Sequence, residues 1–394
     1  MPTERNAIQD VGLPLVFQAQ SQGAPMAAPR RKLAEALRLC ATSLAGFQKE
    51  AYVTSDRTGL TWRLVSDEGA NLNGHDAAPP PLGFFAAGLA ASYMEEILAL
   101  ADQRGVKIGS LRVTLDNFFT MSGSMLKGTM VGGAQSVDLM VEIACDIEDK
   151  ALVQLLSDSV GAAPQNGLVT GAHKSLFTLS QNGQEIAPTR VAPLNEAAIP
   201  MANAEWTPAP TGTDTTLLER VGMSPPSQTN PPPQDNGAAY STTAPSARPL
   251  HVAAVAELRP DGMKEILQQL HFPHGSEWRF LSAENTQRAP DANTLMAAGI
   301  GFCFMTQLGI LAKSQKLDLP EYAIIQDMHL SLGGASGGTS KPGAAMPAET
   351  HLALKSSEAQ AKAAEMLDLA EQACFLHALC KTPLKTKLRF QKTG

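Results

Sequence analysis

Aromatic residues (5%) and charged residues (18%) are both scarce in this sequence, and its 394 residues include only five cysteines. An odd, sparse set of cysteines does not build the disulfide framework of a small secreted domain, so those that matter are expected to act as thiols. Positive charge is also in short supply. With 31 Lys and Arg against 38 Asp and Glu, the formal net charge is -7, which argues against nucleic acid or an anionic membrane surface as a partner. The opening MPTERNAIQDVGLPLVF lacks a basic segment followed by an apolar stretch, and no apolar run reads as long enough to span a membrane. The expectation is a cytoplasmic protein that contacts neither membrane nor nucleic acid.

Apolar residues make up 44% of the chain, enough for real cores, and the length suits two domains with a join. Composition places the join. From Gly183 to about Arg248 the chain carries TPAPTGTDTT, SPPSQTNPPPQDNG and STTAPSARP. Proline removes backbone donors there, and few apolar side chains offset the entropy of ordering. Residues 183–250 are therefore expected to form a poorly ordered linker between domains at 1–182 and 251–394. Within it, Leu217-Leu218-Glu219-Arg220-Val221 has the makings of a docked helical turn.

The two flanks repeat one another. Trp62-Arg63-Leu64-Val65-Ser66-Asp67-Glu68 precedes the apolar run PLGFFAAGLAASYMEEILALADQRGV, and Trp278-Arg279-Phe280-Leu281-Ser282-Ala283-Glu284 precedes ANTLMAAGIGFCFMTQLGILAKSQKL. Ala86 to Ala101 and Ala297 to Ala312 are apolar on nearly all sides, as in helices buried in a core. Gly88 and Gly299 match, consistent with close helix packing. Leu111, Val113 and Leu115 alternate with polar residues, as do Val137 to Ile143, Met328 to Leu332, and Leu352 with Leu354, which predicts half-buried strands. Further helices are predicted from Ile147 to Val160 and from Glu358 to Leu379, with Pro383 marking a stop. Each unit, about Glu50 to Leu179 and His251 to Phe390, is thus α+β, a sheet with helices on one face.

Cys303 falls inside the second apolar helix and Cys374 on the last helix, in ACFLHALC. They read either as core cysteines or as a dithiol. Thiolate chemistry needs an electropositive or hydrogen-bonding setting, for which His377, Arg279 and Arg288 are the candidates. Cys40 follows Leu33 and Leu37 on an apolar helical face, and Cys145 lies on an inward strand face, so both are expected in the core. Cys380 ends a helix and stays ambiguous. The spacing Cys374-x-x-His377-x-x-Cys380 admits a zinc reading with His329, His351 or Cys303 as fourth ligand. Both histidines fall out of phase with their strands' apolar residues, as solvated or boundary residues do, so no metal and no cofactor are expected. Leu332 to Gly338 lacks the lysine of a phosphate loop and reads as a flexible hairpin loop.

The segment ANTLMAAGIGFCFMTQL, followed by a helix with ACFLHAL, resembles the osmotically inducible and organic hydroperoxide resistance (OsmC/Ohr) superfamily. That resemblance implies two tandem units of antiparallel sheet with long buried helices, packed as an intramolecular pseudo-dimer. It implies Cys303 as peroxidatic and Cys374 as resolving residue, an organic hydroperoxide or other small apolar substrate, and an external dithiol reductant. The oligomeric state is not set by it. The family's glutamate, ten residues before the reactive cysteine, falls here at Asn293, with Asp291 or Glu284 as substitutes. In the first unit Ser92 stands in the place of Cys303 and Ala163-Pro164 in the region of Cys374, while Glu95 and Glu96 leave room for other chemistry. Two other readings accompany the peroxidase: a hydrolase or lyase with Cys303 as nucleophile and His377 as base, and a non-enzymatic module binding a small ligand.

Overall fold

The computed structural model describes residues 4–19, 27–199, 216–225, 249–284 and 287–393. Two mixed sheets flank a pair of long helices, and each sheet draws strands from both halves of the sequence. In the first sheet the order is Val16–Ala19, Thr61–Ser66, Lys49–Ser55, Glu35–Ser43, Glu321–Leu330, Glu349–Lys355, Leu176–Gln181 and Ala192–Pro193. In the second it is Leu218–Met223, Ser276–Ser282, Lys264–His271, Leu250–Leu258, Ile108–Ser122, Val137–Cys145 and Thr386–Lys392. The halves pair strand to strand four times. Leu352 pairs with Leu179 and Leu388 with Leu139, both in parallel strands. Cys40 pairs with Ile325 in one sheet and Ala254 with Leu115 in the other, both antiparallel. Each half places its opening hairpins in one sheet and its next strands in the other, and its last strand, Leu176–Gln181 or Thr386–Lys392, returns to the sheet of its hairpins.

The repeat is visible in the registers. Lys49 lies opposite Ser66 and Lys264 opposite Ser282. Ser66 Oγ donates to the Pro79 carbonyl at 2.9 Å, and Ser282 Oγ to that of Pro290 at 2.9 Å. Each of these bonds fixes the chain just before a central helix. The first of those, Pro81–Gln103, opens with proline in its first turn, where the missing N–H costs nothing. The second, Ala292–Gln315, is capped by Asp291, whose carboxylate accepts from Thr294 N at 2.7 Å. They cross at the matched glycines: a Cβ on Gly88 would fall 2.7 Å from the Ala292 carbonyl oxygen, and one on Gly299 2.7 Å from Phe85 N. By length and composition both helices could cross a membrane, contrary to the expectation that no run could, but each is largely buried inside the protein.

Other expectations shift. The last helix breaks at Cys374, which is extended (φ -73°, ψ 122°), giving Gln360–Ala373 and Phe375–Lys381 in place of one helix. The first half breaks identically at Ala163 (φ -64°, ψ 128°), after Asp149–Ala162. Cys40 sits on the strand Glu35–Ser43, not on a helix, because Leu37, Leu39 and Ala41 fill one core-facing row. Leu217–Val221 is not a helical turn, since Leu218–Met223 is a strand antiparallel to Ser276–Ser282. A short isolated helix is marginal, whereas an open sheet edge offers a ladder of partners. Residues 200–215 and 226–248 of the expected linker lie outside the described residues.

His329 and His351 do lie off the core side of the first sheet, yet both are buried rather than solvated. Chain segments cover them: Lys32 N donates to His329 Nδ1 and Ile199 N to His351 Nδ1, each at 3.4 Å. The glycine-rich loop after Leu330 is held by buried Glu96, which accepts from Ala335 N at 2.9 Å and Ser336 N at 3.3 Å. A Cβ on Gly333 would fall 1.6 Å from a Glu96 oxygen, so any larger residue there would displace the carboxylate from the loop. Glu96 is thereby a loop anchor.

Candidate active site

Cys303 and Cys374 are brought together. Their sulfurs lie 3.4 Å apart as free thiols, with the Cys374 thiol donating to Cys303. Cys303 projects from the middle of Ala292–Gln315. Cys374 gets there through the helix break, since its extended backbone makes it the cap of Phe375–Lys381. Its sulfur accepts from the backbone N–H groups of His377 and Leu376. Burial holds the Cys374 thiol well above its usual range, and those two N–H groups act against that shift. The pair is asymmetric in access. Cys303 borders a narrow cleft with apolar walls that include Pro81, Leu82, Leu250, Leu270, Ile310 and Phe375, whereas Cys374 lies fully buried and lines no part of it.

The expected supporting residues do not gather here. His377 packs near Phe177 and Phe304, with ring centroids 5.6 and 5.3 Å away. Neither ring nitrogen has a hydrogen-bond partner, and burial lowers the pKa to about 4. A neutral imidazole that bonds to neither sulfur is not positioned as the base of a cysteine hydrolase. Arg279 pairs with Glu219 at 2.8 Å and Glu265 at 3.3 Å, and Arg288 with Asp261 at 3.1 Å, all on the second sheet and its adjoining loop. Burial pushes the Cys380 thiol up to about 12, as for an inert core cysteine. Among the described residues no group of three His, Cys, Asp or Glu side chains could hold a metal ion.

Asn293, Asp291 and Glu284 belong to the opposite end of the helix pair, around Ser92. Ser92 Oγ donates to Gln165 Oε1, Gln165 Nε2 to Asn293 Oδ1, and Asn293 Nδ2 to Glu35 Oε2 at 2.8 Å. Glu284 accepts from Ala292 N at 3.2 Å, and burial pushes its pKa up to about 7. Because the central helices cross, the start of each lies near the middle of the other. The residue facing Cys303 at the position equivalent to Asn293 is therefore Leu82, from the first half. No spacing within one half reveals this exchange.

Sequence reasoning also missed a buried polar chain beside Cys303. Lys49 is fully buried and donates to the Phe47 carbonyl at 2.6 Å and to Thr306 Oγ1 at 2.7 Å. Thr306 Oγ1 in turn donates to Glu68 Oε1 at 2.7 Å. Glu68 and Thr306 border the same cleft as Cys303. Burial lowers the Lys49 pKa and raises that of Glu68. The repeat itself carries the signal. Gln48-Lys49-Glu50 matches Met263-Lys264-Glu265, and Glu68 matches Glu284, each just past a Trp-Arg strand.

Residues 284–389 match the family model described as OsmC-like protein. A solved structure, that of an OsmC-like hydroperoxide resistance protein from Jannaschia sp. CCS1, aligns at 21% identity over 34% of this chain and 85% of that one, with a TM-score of 0.22. No curated protein matches the chain. The segment that contains Cys303 and Cys374 is the segment that matches the OsmC-like family model.

Proposed function

We propose that the protein is a thiol-dependent peroxidase that reduces organic hydroperoxides through Cys303 and Cys374. One observation carries the reading: two free thiols 3.4 Å apart, one bordering a cleft and the other sealed from it. The Cys303 sulfur attacks the distal peroxide oxygen and the O–O bond breaks, leaving a sulfenic acid and an alcohol. The Cys374 thiol then condenses with the sulfenic acid, releasing water and forming a disulfide. An external dithiol reduces that disulfide by two successive exchanges. The apolar cleft walls favour alkyl peroxides over hydrogen peroxide. In this reading residues 1–182 act as the half that lacks the cysteine pair and complete the pocket of residues 251–394.

The test is hydroperoxide consumption with cumene hydroperoxide and dithiothreitol. Cys303→Ser is expected to abolish turnover, and Ser92→Ala to leave most of it, since the Ser92 hydroxyl is committed to Gln165. An activity that survives Cys303→Ser but disappears in Ser92→Ala would move the working site to the first half and overturn the assignment.

A further inference from the structure

We infer that Glu68, supplied by the opposite half of the chain, is the proton shuttle for Cys303, with Thr306 and Lys49 as its positioning residues. The inference rests on the peroxidase reading and assigns the acid–base group that Cys303 needs. That group is not at the helix start facing Cys303, where Leu82 presents only hydrocarbon.

Comparison of the two ends of the molecule carries the argument. Each end has a buried lysine on the middle strand of a hairpin, Lys49 or Lys264, and an acid two residues past the next strand, Glu68 or Glu284. They differ at the helix residue one turn after the central position. Beside Ser92 this is Glu95, which takes Lys264 directly in an ion pair at 2.5 Å. Beside Cys303 it is Thr306, a hydroxyl standing between lysine and acid. The lysine at this end therefore reaches Glu68 only through Thr306, and the carboxylate borders the cleft with the thiol. A purely structural ion pair needs no such spacer, and the first end shows that this fold accommodates the direct pair.

Chemically, the Glu68 carboxylate accepts the Cys303 thiol proton as the sulfur attacks the distal oxygen. The O–O bond breaks, sulfur loses two electrons to the peroxide, and the departing alkoxide takes the proton from Glu68. The products are a sulfenic acid and an alcohol, and Glu68 returns to its starting state. Burial raises the Glu68 pKa, while Lys49 and the Thr306 hydroxyl lower it and Asp67 raises it. Cys303 itself, Lys313 with its partner Glu4, and Tyr322 also face this cluster. A carboxyl made more basic by burial is better suited to taking the thiol proton and passing it on.

The experiment measures single-turnover oxidation by cumene hydroperoxide, and separately the pH profile of Cys303 alkylation by iodoacetamide with Cys374→Ser as background. Glu68→Gln is expected to slow oxidation by roughly 10²–10⁴-fold, the usual range for lost acid–base catalysis, and to move the alkylation profile to lower pH, because the carboxylate's negative charge opposes the thiolate. Thr306→Val, which removes no charge, is expected to move the profile as well, and it carries the test where Glu68→Gln fails to fold. Native oxidation and an unmoved profile in either variant would overturn the shuttle. A native protein that consumes no hydroperoxide yet shows a Glu68-dependent profile would sink the peroxidase reading and leave the shuttle standing.

Discussion

His377 shows how far chemistry at the site depends on placement over residue type. The sequence offers a histidine one turn past Cys374, the right type and spacing for a base, but the fold seals its ring among aromatic side chains with both nitrogens unpartnered. Its folded-state pKa, about 4, lies below the ordinary 6.5. A depressed pKa contributes stability that is present above 6.5 and lost as pH falls toward and through about 4. That interval corresponds to about 3 kcal/mol at most. His377→Phe is therefore expected to keep peroxide turnover and to flatten the acid limb of the stability curve. Urea midpoints at pH 7 and pH 4.5 measure this, and a variant as acid-sensitive as the native protein would contradict it. Lys49 and Glu68 were illegible for the opposite reason. Isolated charged residues read as solvated, and only the pairing of two remote segments buries them.

Among the elements, the two central helices were legible because a helix apolar on every side has few places to go but a core. Their exact crossing was not. The matched glycines suggested closeness, and the structure shows that a Cβ at Gly88 would also fall 2.5 Å from Met296 Cγ. Gly161, near the end of Asp149–Ala162, has no atom within 4 Å of its hypothetical Cβ. Both positions gain helix propensity on mutation to alanine, about 1 kcal/mol, so sterics decide the sign. Gly161→Ala is expected to stabilise, and Gly88→Ala to destabilise by about 1–3 kcal/mol through overpacking. Denaturant midpoints separate them, and equal shifts would count against the crossing. The break at Cys374 escaped the sequence reading because the residues around it are good helix formers. Its twin at Ala163 shows that the break belongs to the duplicated fold, and the thiol takes advantage of it.

At the scale of the whole molecule, the repeat was readable from its Trp-Arg strands and apolar helices, but the exchange of strands between halves was not. Each unit taken alone satisfies the pattern of an α+β sheet, and nothing local says that its strands end in two different sheets. Residues 251–394 expressed alone would leave the edges of Leu250–Leu258 and Glu321–Leu330 unpaired. The fragment is expected to self-associate or stay unfolded, as judged by light scattering and circular dichroism, and a folded monomer would contradict the exchange. The intact chain closes those edges and seats Cys303 in a cleft to which both halves contribute Glu68, Leu82 and Phe375. The most direct measurement of that site's function is to treat the reduced protein with one equivalent of cumene hydroperoxide, quench with acid, and map the cysteines by peptide mass spectrometry. The account predicts one disulfide, between Cys303 and Cys374, with Cys40, Cys145 and Cys380 still as thiols. Untouched Cys303 and Cys374 after exposure to the peroxide would contradict it.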